Sequence, residues 1–231
     1  MLCRSRLETL FCKALGVPLR VRLLAAEPAP GLQERPHVLD ALVHEGNRMA
    51  IQALRELQEP QGDQRFNPLF LWGKEGVGKT LVVKRILLGP GTEGGLYRTA
   101  SGFMEDLAHA RRRAGGLSRL REQLLGSRLL ILDEVHRLRD KPATQAELVH
   151  LVKVLLARRA RVVFVGRHPA REIRQIDRSF LSMLLSGMAV EIKAPAEAVR
   201  LKALAALEAA AGPPLLPAVL LQSLADRKSV V

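Results

Sequence analysis

Apolar positions recur along this chain in two rhythms. Strand-length segments stand at Pro68-Leu69-Phe70-Leu71-Trp72, Leu96-Tyr97-Arg98-Thr99, Arg128-Leu129-Leu130-Ile131-Leu132 and Arg161-Val162-Val163-Phe164-Val165. Three of them are apolar almost throughout, as strands are when both faces of a parallel sheet are covered. Between them, apolar residues return at helical spacing over 39–57, 81–88, 102–114, 117–125 and 144–158, the mark of helices with one buried face. Strands alternating with helices predict an α/β protein with a doubly wound parallel sheet and helices on both faces. The ends differ. A helix over 7–15 and a strand over 19–24 precede Glu27-Pro28-Ala29-Pro30-Gly31, where two prolines and a glycine discourage helix and ladder alike. The Ala/Leu-rich stretch 203–211 reads as a helix. The expected division is an N-terminal appendage with linker over 1–35, a main domain over 36–194 and a smaller helical segment over 195–231.

Composition narrows the partners. The 231 residues carry 36 Lys+Arg against 23 Asp+Glu, a formal charge of +13 with pI near 10.8, which favours polyanions, nucleic acid before anionic membrane. Aromatics make up only 3%, too few for a base-stacking platform, so DNA binding is expected to be electrostatic and salt-dependent. Arg111-Arg112-Arg113 is a cationic cluster that serves equally as a solvated helix face; Arg158-Arg159-Arg161 ranks behind it as a phosphate-binding surface, because these residues cap a helix and enter a strand. Cys3 and Cys12 have neither metal-ligand spacing nor disulfide density, which fits a reducing compartment. No apolar stretch approaches the ~20 residues of a membrane span and the N-terminus leads into no signal-like core, so a cytoplasmic location is expected. The six histidines, His136 and His150 among them, show no ligand spacing and read as structural or surface residues.

Two segments carry chemistry. Gly73-Lys74-Glu75-Gly76-Val77-Gly78-Lys79-Thr80 sits between a strand and a helix, the pattern and setting of a phosphate-binding loop. Its glycines let backbone N–H groups wrap phosphate oxygens, the helix N-terminus adds partial positive charge, and Lys79 adds a full one. Thr80 would hold Mg²⁺ through its hydroxyl. The second is Leu129-Leu130-Ile131-Leu132-Asp133-Glu134, an apolar strand delivering two carboxylates at its C-terminal end, the edge where open α/β sheets bind ligands. Asp133 is assigned to Mg²⁺ and Glu134 to polarising the attacking water. The cofactors implied are ATP and Mg²⁺.

Over roughly residues 37–226 the chain resembles the AAA+ ATPase domain of the bacterial replication initiator DnaA and its relatives. The resemblance is carried by Phe66-Asn67-Pro68-Leu69-Phe70-Leu71-Trp72-Gly73, by Asn47-Arg48-x-Ala50 upstream, by Tyr97-Arg98-Thr99-Ala100 through Phe103, by Lys141-x-x-Thr144-Gln145-x-Glu147 and by His168-Pro169-x-x-Glu172-Ile173. Residues 7–30 resemble the closing helix and strand of the family's N-terminal domain. The resemblance implies a P-loop AAA+ domain over 36–194 followed by a truncated helical lid, and an ATP-controlled role in initiating or regulating DNA replication. It further implies DNA, initiator or helicase proteins, and further copies of the chain as partners. Asn47 and Arg48 join Gly73, Gly76, Val77, Gly78, Lys79, Thr80 and Asp133 as expected nucleotide-pocket residues, with Glu134 as the expected catalytic residue. The Arg111–Arg113 helix lies where family members present a surface to single-stranded DNA.

The departures bear on turnover. Where the family's sensor 1 strand ends in a polar pair with an acidic residue, this chain reads Val165-Gly166-Arg167. The family's arginine finger falls near Ser182, where Met183 and Leu184 stand, and Arg178 matches a different family arginine. ATP-dependent self-association is expected to weaken accordingly. The chain reaches Val231 before the lid's sensor 2 helix, and no helix-turn-helix follows, so sequence-specific reading of origin boxes by that domain is not expected. Three readings follow. One is a DnaA-like ATP-binding protein with weak turnover. Another is a non-catalytic Hda-like regulator of the initiator. The last is a helicase-loader or transposition-helper ATPase, which shares the loop and Asp-Glu pair but not the Thr144-Gln145 and His168-Pro169 stretches.

Overall fold

The computed structural model describes residues 43–59, 66–87 and 94–202. The chain divides into two compact units, and nearly all described residues belong to the one spanning 43–196; only 197–202, which are helical, belong to the other. The expected helix at 7–15, strand at 19–24 and most of the lid lie outside the described residues.

Along the described unit run α1 (Arg48–Gln58), β1 (Leu69–Trp72), α2 (Lys79–Ile86), β2 (Gly95–Thr99), α3 (Ala100–Arg111), α4 (Gly116–Leu125), β3 (Leu129–Asp133), α5 (Pro142–Ala157), β4 (Arg161–Gly166), α6 (Arg178–Leu184) and β5 (Met188–Glu191). The five strands form one all-parallel sheet in the order β2-β3-β4-β1-β5. Alternation along each strand splits the core between the two faces. Phe70, Leu130, Leu132, Val162 and Phe164 pack against α3, α4, α5 and α6. Leu69, Leu71, Leu129, Ile131, Val163 and Val165 pack against α1 and α2. Phe164 meets Phe180 of α6 edge to face, with centroids 6.1 Å apart.

The strand at 68–72 begins at Leu69, and the helix at 102–114 runs from Ala100 to Arg111, because Thr99 caps it by accepting from the Gly102 amide at 3.0 Å. The segments α6 and β5 have no counterpart among the expected elements. β5 is an edge strand of four residues with only Val190 buried, too short for its apolar residues to stand out as those of β3 and β4 do.

Two polar side chains fix the frame. Asn67 imitates a strand residue ahead of β1, donating to Ala160 O at 2.8 Å and accepting from Val162 N at 2.9 Å. Buried Gln145 of α5 donates to Leu138 O at 2.7 Å and accepts from Asp177 N at 2.7 Å, tying α5 to the segments after β3 and before α6. Glu147 forms a two-pronged bond with Arg121 of α4 at 2.7 and 2.9 Å. The resemblance carried by Gln145 and Glu147 is thus a matter of joints between elements.

Candidate functional site

Parallel register brings the C-terminal ends of β1, β3 and β4 to one edge. Trp72 pairs with Gly166 and Leu132 with Phe164, so the segments leaving those strands, Gly73 onward, Asp133-Glu134 and Arg167, emerge side by side. The loop after β1 needs glycine at two points for different reasons. A Cβ on Gly73 would stand 2.2 Å from Ile192 O, while Gly78 has φ of +90°, a conformation costly for any residue with a side chain.

Around this edge lies a cavity of about 420 Å³ lined by Gly76, Gly78, Lys79, Thr80, Asp133 and Glu134, together with Glu75, Leu81, His136, Gly166 and Arg167. Lys79 crowns the loop, donating from Nζ to Gly73 O at 2.7 Å and Lys74 O at 2.6 Å. Burial lowers its pKa, with Arg167 acting in the same direction against Asp133 and Glu75. Thr80 donates through Oγ1 to Asp133 Oδ2 at 2.7 Å. The same carboxylate oxygen accepts from Tyr97 OH at 2.9 Å, and Oδ1 accepts from the Glu134 amide at 2.7 Å. Asp133 is 3% exposed, so these donors anchor a buried anion as burial demands. Burial and the neighbouring Asp133 push the Tyr97 hydroxyl well above its ordinary range, keeping it a proton donor.

Glu134 is the first residue beyond β3 and adopts left-handed φ/ψ of 59° and 37°, an uncommon state for a side-chain-bearing residue. Its carboxylate bridges to Arg137 at 3.0 Å. His136 borders the cavity with a buried Nδ1 that has no hydrogen-bond partner among the described residues. Desolvation, assisted by Arg167, lowers its pKa and favours the neutral ring.

The remaining expected pocket residues lie apart. Val77 is buried in the core beneath the loop, and Asn47, Arg48 and Gly73 are not among the cavity-lining residues. Asn47 is buried, accepting through Oδ1 from His44 N at 2.9 Å. Its segment nevertheless reaches the same sheet edge, since Lys193 N donates to Gly46 O and Ile192 N to Trp72 O. No sequence pattern marks Glu75, Tyr97 or His136 as belonging to this site. Glu75 occupies a variable place in the loop pattern, and Tyr97 and His136 belong to no spacing rule. Arg167 stood out only as a departure.

A second cavity of about 900 Å³ shares His136 and Arg167 and is otherwise lined mainly by Arg137, Arg139, His168, Arg171 and Arg174. Arg111, Arg112 and Arg113 are all exposed at the end of α3. Arg161, by contrast, is buried and donates to Glu59 O at 3.2 Å, a structural use of that charge. Met183, near the position expected for an arginine finger, is 6% exposed and packs in the core. Among the described residues no cluster of His, Cys, Asp and Glu is arranged to hold a metal ion by itself, and no helix is long and apolar enough to cross a membrane.

A parallel sheet in this strand order, with a glycine-rich loop after β1 and an acidic pair after β3, defines an AAA+ domain. Residues 33–191 match the family model of the bacterial DnaA ATPase domain, and the chain belongs to that family. It is 36% identical over 165 residues to the chromosomal replication initiator protein DnaA of Bartonella quintana, covering 68% of this chain and 33% of that one. It therefore spans about a third of the length of the curated relatives it matches. Domain III of the Thermotoga maritima replication initiation protein DnaA superposes with a TM-score of 0.72 at 25% identity, covering 83% of this chain and 81% of that one. A replication initiator DnaA bound to AMPPCP and single-stranded DNA shares the fold with a TM-score of 0.70 at 23% identity, over 84% and 61% of the two chains.

Proposed function

We propose that the cavity binds ATP with Mg²⁺ and that the chain acts as a nucleotide-controlled component of replication initiation or its regulation. The observation that carries this reading is the meeting of Lys79, Thr80 and Asp133 at one cavity beneath a loop with left-handed glycines. The donor set fits the ligands. Lys79 and the loop amides suit phosphate oxygens, while a hydroxyl and a carboxylate oxygen 2.7 Å apart suit a hard divalent cation. Thr80 and Asp133 would hold Mg²⁺, which when bound neutralises charge on the β- and γ-phosphates. Tyr97 donates to the same Asp133 oxygen as Thr80 and so helps to orient the carboxylate. Asn47 and Arg48, at the same sheet edge, are proposed for the nucleoside end.

The ion pair between Glu134 and Arg137 favours slow turnover over fast. A carboxylate engaged by a guanidinium has to leave it before it can accept a hydrogen bond from an attacking water. The non-catalytic regulator reading rests on this pair. Single-stranded DNA is proposed as a partner, met by the exposed Arg111–Arg113 and by the arginine-rich second cavity. Support comes from charge complementarity and from the DNA-bound relative of the same fold.

The test is calorimetric titration of the chain with Mg·ATP and Mg·ADP beside Lys79→Ala. Saturable binding lost in Lys79→Ala is expected. Equal affinity in the variant would remove Lys79 from the site, and absence of binding to the folded wild-type chain would end the nucleotide reading.

A further inference from the structure

We propose that Arg167 reads the terminal phosphate of a bound triphosphate, and that Glu75 of the phosphate loop is its exchangeable counter-ion, the two forming a latch across the cavity mouth. The inference rests on the nucleotide reading of this cavity. The pairing of Trp72 with Gly166 sets Arg167 directly beside the loop that starts at Gly73. Its guanidinium meets Glu75 fork to fork, Nη1 to Oε2 at 3.0 Å and Nη2 to Oε1 at 3.1 Å. Both residues line the same cavity as Lys79 and Thr80.

A carboxylate in a loop built to attract anions opposes its purpose unless a cation neutralises it, and Arg167 supplies that cation. The Glu75 side chain is 71% exposed and that of Arg167 35%, so the pair stands largely in water, where ion pairs are weak. A γ-phosphate carries more charge than a carboxylate and offers the same two-pronged geometry to a guanidinium. A triphosphate therefore displaces Glu75 from Arg167, and Glu75 swings to solvent. A diphosphate ends one phosphoryl group short and leaves the pair closed. The cation found where the family carries a polar pair thus gives this chain a charge-based way to distinguish ATP from ADP.

The experiment is titration of the full chain with Mg·AMPPCP and with Mg·ADP, for wild type, Arg167→Ala, Glu75→Gln and the double variant. Arg167→Ala is expected to weaken AMPPCP binding about tenfold, the value of one charge-assisted phosphate contact, and ADP binding by less than about twofold. Glu75→Gln is expected to tighten AMPPCP binding severalfold, with the gain absent in the double variant. Arg167→Lys, which keeps the charge but not the fork, should fall between wild type and Arg167→Ala and stands in for it if the alanine variant misfolds. Equal weakening of both nucleotides, or weaker AMPPCP binding in Glu75→Gln, would overturn the latch. So would binding of both nucleotides in a ratio that no variant shifts, which leaves the nucleotide reading intact. A folded wild-type chain that binds neither nucleotide overturns both.

Discussion

Asp133 concentrates more of this site's chemistry than any other residue described. Its two oxygens accept from Thr80, Tyr97 and the Glu134 amide, so a buried carboxylate is held in one orientation before any ligand arrives. That preorganisation is useful at a nucleotide site because the groups meeting the ligand need not be ordered during binding. Glu134 is arranged differently, in a left-handed backbone and bound to Arg137. If that pair restrains turnover, Arg137→Ala should raise the steady-state rate of phosphate release, and adding Glu134→Gln should abolish the gain. A rate unchanged by Arg137→Ala would show that the pair does not govern catalysis. Of these residues, Lys79, Thr80, Asp133 and Glu134 were legible in the sequence because each stands at a fixed offset within a local pattern. Tyr97 was not, since it comes to the site from β2, and neither was His136, which follows Glu134 by two residues but belongs to no pattern that marks a pocket residue.

At the scale of elements, the joints matter more than the helices. Gln145 serves backbone groups of two segments from within the core. Gln145→Leu fills the same space but leaves Leu138 O and Asp177 N without that partner, and should lower the unfolding free energy by about 2–4 kcal/mol, measured in urea. A loss under about 0.5 kcal/mol would mean that water replaces the side chain. Glu147, bound to Arg121 of α4, has its carboxyl lowered from the ordinary 4.5 chiefly by that hydrogen bond. On acidification the unfolded chain takes up this proton first, so the contribution is complete above 4.5 and disappears as pH falls through the lowered folded value. Thermal unfolding followed across that acid range should show a shallower loss of stability in Glu147→Gln than in the wild type. Strands β3 and β4 were readable from their apolar runs, whereas β5 and α6 were not, because an edge strand and a helix of seven residues carry too few buried positions to make a period.

For the molecule as a whole, charge is the property expected to govern DNA binding. With +13 formal charges, affinity for single-stranded DNA should fall steeply with salt, and replacing Arg111, Arg112 and Arg113 by alanine should reduce the log–log slope by roughly 2, at about 0.7 for each phosphate no longer neutralised. An unchanged slope would move the binding surface elsewhere, to the arginine-rich cavity beside the nucleotide site first. The class of fold, the phosphate loop and the acidic pair are written in the order of residues, because strand and helix periods and short motifs are encoded by neighbours along the chain. Which residues share a cavity follows from the folded sheet instead. The order β2-β3-β4-β1-β5 brings Arg167 to Glu75 and Tyr97 to Asp133 across 92 and 36 positions of sequence. Pairings at such separations are set by strand order and register, which no local pattern contains.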